Sequence, residues 1–112
     1  MATIAWSDDP DEIWQVAGWV FRQVLDDIMA QYPDDLEMAA ELTDVRDIKG
    51  LNIDLLNPEL AARVTNAIWD VVTGILSGSV QSGIVDQPYG DSMTIAQYRS
   101  ALRDLKRAIP RH

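Results

Sequence analysis

Apolar side chains recur every three or four residues along four separate segments of this chain, which is the period of an α-helix. The pattern is most regular between Leu60 and Ile75, where Arg63 and Asp70 lie on the opposite, polar side. Four such segments within 112 residues predict a single all-α domain, a bundle of about four helices. Residues 51–56 alternate between apolar and polar side chains, which predicts an extended connector after the second helix.

Helix start and stop signals set the limits of these segments. Asp9 and Asn57 each precede a proline, an arrangement favoured at the first turn of a helix. Pro33 and Pro110 end the helices before them, because proline cannot continue a helix. The sequence Gln87-Pro88-Tyr89-Gly90 predicts a type I turn. The four predicted helices lie near residues 10–32, 35–47, 58–81 and 94–109.

The chain is strongly acidic, and its charges are segregated. Its formal net charge is −9. Residues 1–98 carry 17 acidic and four basic residues, whereas residues 99–112 carry one acidic and five basic residues. The two parts therefore have net charges of −13 and +4. Negative potential of this size attracts basic partners and repels nucleic acid and anionic membranes. We expect a basic protein partner, no nucleic acid and no membrane.

The side chains that perform most catalysis and metal binding are scarce. The chain has no cysteine, and its single histidine is the terminal His112. Thiolate or Ser-His-Asp nucleophiles and cysteine or histidine metal sites are therefore not expected. Adjacent acids such as Asp26/Asp27 and Asp34/Asp35 could bind a divalent cation, but near helix ends such pairs more commonly serve as caps and solubilising charge. We predict no catalytic residue, no metal site and no cofactor.

The ends and the hydropathy of the chain bear on its location. The first residues lack the basic and long apolar stretches of a signal peptide. No segment approaches the roughly 20 apolar residues of a membrane span. We expect a soluble, cytoplasmic protein.

The second predicted helix carries a row of acids with no lysine or arginine at the compensating positions. Like charges at spacings of three and four residues each destabilise a helix by about 0.2–0.5 kcal/mol. The row is either a solvated helix face or a docking surface for a basic partner. Its members, with one acid just beyond the row, are Asp34, Glu37, Glu41, Asp44 and Asp47.

Three other features bear on interfaces. Trp19 falls on the polar side of the first predicted helix, so it either packs against another segment or anchors a partner. Gly74 and Gly78 would let another backbone approach the third helix closely. The last helix carries four bases that we expect to pair with the acidic helices, within the chain or between subunits. These bases are Arg99, Arg103, Lys106 and Arg107.

About half of the chain resembles a known family. The stretch GLNIDLLNPELAARVTNAIWDVVTGILSGS from Gly50 to Ser79, and PYGDSMTIAQYRSALRDLKRAIP from Pro88 to Pro110, look like the C-terminal half of small acidic immunity proteins. These proteins belong to bacterial toxin–immunity systems of the contact-dependent inhibition type. The shared features are an Asp-Leu-Leu connector, a helix ending in glycine, a Tyr-Gly-Asp turn and a Tyr-Arg-x-x-Leu helix. The resemblance implies a protein that binds and neutralises a cognate toxin domain, often one with a basic active-site cleft.

The residues and the resemblance together favour a non-enzymatic, acidic protein-binding module. Its partner is a cognate toxin, for example a nuclease, or another basic protein. The predicted partner-binding residues are Trp19 and the five acids named above. Two alternatives stay open: a structural or regulatory homo-oligomer such as a homodimer, and a small carboxylate-dependent metal-binding protein or enzyme.

Overall fold

Within residues 1–86 and 92–110, which the computed structural model describes, the chain forms a three-stranded sheet and five α-helices. The strands are β1 (Ala2–Ala5), β2 (Ile13–Val16) and β3 (Gly50–Asn52). The helices are α1 (Gly18–Gln31), α2 (Leu36–Ile48), α3 (Pro58–Ser77), α4 (Gly83–Asp86) and α5 (Ser92–Ala108). The turn predicted at residues 87–90 and the terminal His112 lie outside the described residues.

The sheet makes the fold α+β, so the predicted all-α bundle is wrong. Its strand order is β2-β1-β3, with β1 antiparallel to β2 and parallel to β3. The register places Ile4 of β1 between Trp14 of β2 and Leu51 of β3. These three side chains are at most 3% exposed and belong to the main hydrophobic core. The sheet therefore forms one wall of the core and the helices form the rest.

The helix predicted over residues 10–32 begins only at Gly18. Asp9 does act as a cap, and its Oδ1 accepts the N–H of Asp11 at 2.9 Å, but the capped segment is a single 3₁₀ turn. Residues 13–16 then form β2 instead of a helix. They are rich in β-branched and aromatic side chains, which favour strands, and they pair with β1. Hydrogen bonding to a distant strand thus overrides the local helical signal.

The predicted connector is extended only in part. Gly50–Asn52 pairs with β1, whereas Ile53–Leu55 forms a 3₁₀ turn. Leu51 and Ile53 are buried, but Leu55 is 78% exposed. The alternation of apolar residues therefore identifies the buried side chains of residues 51–53 but not of residues 54–56.

The core is built around α3. Its N-terminus is capped by Asn57, whose Oδ1 accepts the N–H of Leu60 at 2.8 Å. Its C-terminus is capped by Gly78 in the left-handed region, with φ of 87°, a conformation that favours glycine. The helix packs against α1 on one side and α5 on another, and Val64, Ile68 and Val72 are fully buried. None of the helices in the described residues combines the length and the apolar character that a membrane span requires.

Gly74 faces a segment of its own chain. A Cβ at this position would lie 2.4 Å from Cγ2 of Val80 and 3.0 Å from its Cβ. The segment that approaches Gly74 is therefore the turn after α3, through the side chains of Val80 and Ser79, and the N–H groups of these two residues donate to the Gly74 carbonyl. This contact occupies the space that the homo-oligomer alternative assigned to a second copy.

Gly74→Ala is expected to destabilise the protein by about 1–3 kcal/mol, because the added methyl overpacks a filled site. The loss should appear even though alanine is the better helix former by about 1 kcal/mol. Urea unfolding followed by circular dichroism measures it. Gly50→Ala is the control, because a methyl group added there would meet no atom of the described residues within 4 Å beyond its chain neighbours. An equal effect of the two substitutions would contradict this account of Gly74.

Candidate functional site

α2 is capped at both ends and joined to neighbouring helices by two ion pairs, while few of its side chains are buried. Asp35 caps its N-terminus by accepting the N–H of Met38 at 3.1 Å. Lys49 adopts the left-handed conformation at its C-terminus, with φ of 64°. Of the thirteen residues of α2, Met38 and Leu42 are buried. Most of the helix surface therefore remains available to a partner.

The exposed side of α2 carries the predicted acidic row. Glu37, Asp44 and Asp47 are exposed, and Glu41 is partly exposed. Steps of about 100° per residue place these four within one third of the helix circumference. Asp34 is exposed immediately before the helix. The structure thus brings the five predicted acids together along one element.

Two arginines, one in α2 and one in α3, already form ion pairs at this surface. Arg46 forms a bidentate pair with Asp26 of α1, at 2.9 and 3.0 Å. Arg63 of α3 pairs with Glu37 and lies 3.9 Å from Asp35. Among the described residues, Glu41, Asp44 and Asp47 take part in no ion pair. Glu41 and Asp44 in the middle of the row therefore keep their negative charge, while Asp47 interacts with the charge of Arg46 without forming an ion pair with it.

Trp19 lies on α1, at the side that faces α5. Its ring centroid is 6.4 Å from that of Tyr98, with the two planes tilted by 36°. The side chain is 37% exposed, so it both packs within the fold and contributes to the surface. Trp19 is thus supported by a different helix from the one that carries the acidic row.

The basic residues of α5 do not pair with the acidic helices. Arg99 instead donates to the carbonyl oxygens of Ile75 and Leu76, at 3.1 and 2.8 Å, and so caps the C-terminus of α3. Lys106 lies 5.1 Å from the ring centroid of Trp69, and Arg107 pairs with Asp104 of its own helix. Within the described residues, no ion pair joins α5 to α1 or α2. The expected pairing inside the chain is therefore absent there.

Asp27 is a buried carboxylate, although in the sequence it stands out only as one member of the acid pair Asp26/Asp27. It is 4% exposed, and its oxygens accept four hydrogen bonds, so it is neither the helix cap nor the solubilising charge predicted for the Asp26/Asp27 pair. The donors are Tyr98 Oη and Ser82 Oγ at 2.6 Å, the Gly83 N–H at 2.8 Å and Gln23 Nε2 at 2.9 Å.

The four donors make Asp27 the point where α1, α4 and α5 meet. Burial and the neighbouring Asp27 carboxylate raise the pKa of Tyr98 above its ordinary value, so its hydroxyl remains a donor. A signal for this burial exists in the sequence. Asp27 follows Val20 by seven residues and Val24 by three, which places it on the apolar side of α1.

A cavity of about 240 Å³ adjoins this cluster of hydrogen bonds, and its lining residues include Ser82 and Tyr98, whose hydroxyls both donate to Asp27. Its other walls are largely apolar, with Ile75, Ile84 and Val85 among them. In the part of the chain that the structure describes, no three histidine, cysteine or acidic side chains are grouped so that they could hold a metal ion.

Comparison with protein-family models, with curated proteins and with solved structures finds no match to this chain. Its function is therefore inferred from the geometry and charge of its own residues. The α2 surface is the most developed candidate, because it combines exposure, a single sign of charge and few internal contacts.

Proposed function

We propose that this is a non-enzymatic, acidic binding protein that acts as an immunity protein: it binds a cognate basic toxin domain and neutralises it. The observation that carries the proposal is the exposed acidic row on α2, in which Glu41, Asp44 and Asp47 have no ion-pair partner among the described residues. The resemblance to immunity proteins gives the class of partner.

The charge supplies a physical means of fast recognition. A concentrated negative surface raises the association rate of a basic partner by about 10–10³-fold at low salt. The net charge of −9 adds a long-range attraction for a positively charged partner. An acidic helix that lies over a basic catalytic cleft would exclude its substrate by occupying the same space, which is inhibition without chemistry.

The proposal is tested by capture followed by neutralisation. Tagged protein is used to isolate partners from its native host, alongside a Glu41→Lys/Asp44→Lys variant. A protein that the wild type retains and the variant loses is then expressed alone and together with this chain. The proposal expects a basic protein whose toxicity to cells disappears on co-expression. A captured protein that is acidic, or that is equally harmful with and without this chain, would refute it.

Charge reversal at Glu41 and Asp44 should slow association with that partner by about tenfold or more, and it should speed dissociation less, because rim charges act mainly on the association rate. Raising the ionic strength from 0.1 to 1 M should slow the wild type likewise, since the Debye length falls from about 10 to about 3 Å. Stopped-flow mixing at several salt concentrations measures both effects.

A matched control separates the α2 surface from total charge. Asp8 and Asp11 are exposed acids outside α2, and Asp8→Lys/Asp11→Lys changes the net charge by the same amount. This variant should slow association much less than the α2 variant. Association rates that respond neither to salt nor to the α2 reversal would mean that the acidity serves solubility alone.

A further inference from the structure

α2 exposes large apolar side chains as well as acids. Leu36 at its first position is 76% exposed, and Ile48 at its last is 75% exposed. Ala40 and Asp44 between them are exposed too. These four residues are spaced four apart and so form one continuous row along the helix surface. We call Leu36, Ala40, Asp44 and Ile48 the α2 ridge.

Acidic side chains flank this ridge on both sides. The neighbouring row on one side contains Glu37 and Glu41, and the row on the other contains Thr43 and Asp47. Rows with a spacing of four residues are the ridges that pack into grooves between side chains of a second helix. Leu36 and Ile48 offer an apolar contact at each end of the ridge, and Ala40 between them is small enough to let a second helix approach. The carboxylates within and beside the ridge would face basic side chains of the partner.

We propose that the α2 ridge docks against an amphipathic helix of the basic partner, with Leu36 and Ile48 as apolar anchors. Lysine or arginine side chains of that helix lie opposite Glu37 and Glu41 on one side and Asp47 on the other. This inference rests on the proposed function, and it adds the form of the partner's contact surface. The thirteen residues of α2 give a contact about 20 Å long, which matches four turns of a partner helix.

Charge argues against a second copy of this chain as the occupant. Two copies each carry −9, and pairing α2 with α2 would place carboxylates opposite carboxylates. The most basic segment, residues 99–112 with a net charge of +4, already uses Arg99, Lys106 and Arg107 in contacts with its own chain. A basic helix from another protein satisfies both the apolar ends and the acidic flanks of the ridge.

The test uses a synthetic probe and so does not require the natural partner. The probe is a fluorescein-labelled, amidated 16-residue peptide with leucine and alanine along one helical face and lysine on both flanks. The control peptide has the same composition in scrambled order, which keeps the charge and removes the face. Binding is measured by fluorescence anisotropy at several salt concentrations, and the contact is mapped by amide chemical shifts of the labelled protein.

We expect the amphipathic peptide to bind about tenfold more tightly than the scrambled one and to shift the amides of α2. Leu36→Ser/Ile48→Ser should lower the affinity for the amphipathic peptide by about tenfold, which is the loss expected for a moderate hot spot. The thermal unfolding of this variant should match that of the wild type, because both side chains are exposed. The control is Leu55→Ser, since Leu55 is equally exposed, at 78%, but lies outside α2. Its effect should stay below about twofold.

Three results would overturn the inference, and each has a separate meaning. If the two peptides bind equally and the charge reversal weakens both, the proposal of a basic partner survives. The proposal that the α2 ridge binds an apolar helix face is then wrong. If neither salt nor Glu41→Lys/Asp44→Lys changes peptide binding, the proposed function, which rests on the acidic row, is refuted as well. Self-association of the wild type that Leu36→Ser/Ile48→Ser abolishes assigns the ridge to a second copy.

Discussion

Replacing Asp27 with alanine is expected to lower the free energy of unfolding by about 3–5 kcal/mol. The substitution removes the acceptor of four hydrogen bonds, including those from Tyr98 and Ser82. Each buried donor left without an acceptor costs about 1–3 kcal/mol, and water that enters the vacated space recovers part of the sum. Urea unfolding followed by circular dichroism, with the slope checked against the wild type, measures the loss.

The neighbouring acid provides the matched control. Asp26 is 41% exposed and its partner Arg46 is 38% exposed, so solvent screens their ion pair. Asp26→Ala should therefore cost at most about 1 kcal/mol. Tyr98→Phe should fall between the two, because it removes one donor and leaves Asp27 with three. Equal losses for Asp27→Ala and Asp26→Ala would show that the buried cluster contributes nothing special.

Truncating the packing between α3 and α5 is expected to have an effect of similar size. Ile68→Ala and Leu102→Ala should each cost about 2–5 kcal/mol, since both side chains are fully buried and each truncation leaves a cavity. The spread reflects how far neighbouring side chains can close around the vacated space. Thermal and urea unfolding report the loss, and Leu55→Ala, at 78% exposure, should change stability by less than about 0.5 kcal/mol. Wild-type-like melting of the two core variants would contradict the packing described above.

The sequence indicates α2 and α3 well, because their signals are local. Asp35 and Asn57 cap these helices through N–H groups only three residues away. Gly78 ends α3 because its φ of 87° is readily adopted by glycine. Such contacts depend on neighbours in the chain, so spacing and residue type predict where these helices begin. The predicted end of the third helix at residue 81 lies beyond its observed end at Ser77, because Gly78 stops it earlier.

The sheet could not be predicted from the sequence, because its hydrogen bonds join residues that are far apart in the chain. Ile13–Val16 carries apolar side chains at positions that fit a helical period as well as a strand. Only its partner, Ala2–Ala5, decides between the two, and β1 in turn pairs with Gly50–Asn52. Strands of three and four residues are also too short to show a clear alternation of their own.

The candidate site likewise has features that the sequence predicts and features that depend on tertiary packing. The acidic row follows from positions within one helix, so the sequence places Glu41 and Asp44 on one side correctly. The compensation of Glu37 by Arg63 of α3 depends on tertiary packing and could not be predicted. Burial of Asp27 has a periodic signal, but its donors Ser82 and Tyr98 lie far along the chain.

The order of the strands has a consequence for how this chain folds. β1 precedes both of its partners in sequence yet lies between them, and its parallel pairing with β3 closes a long loop that contains α1 and α2. Contacts of large sequence separation are slow to form, because closing the loop costs conformational entropy before the strand pairing offsets it. α1 and α2 run antiparallel, as the Asp26–Arg46 and Met29–Thr43 contacts show, and so return the chain to the sheet. Docking of α2 on α1 therefore shortens the distance that β3 must cover to reach β1, which lowers the entropic cost of completing the sheet.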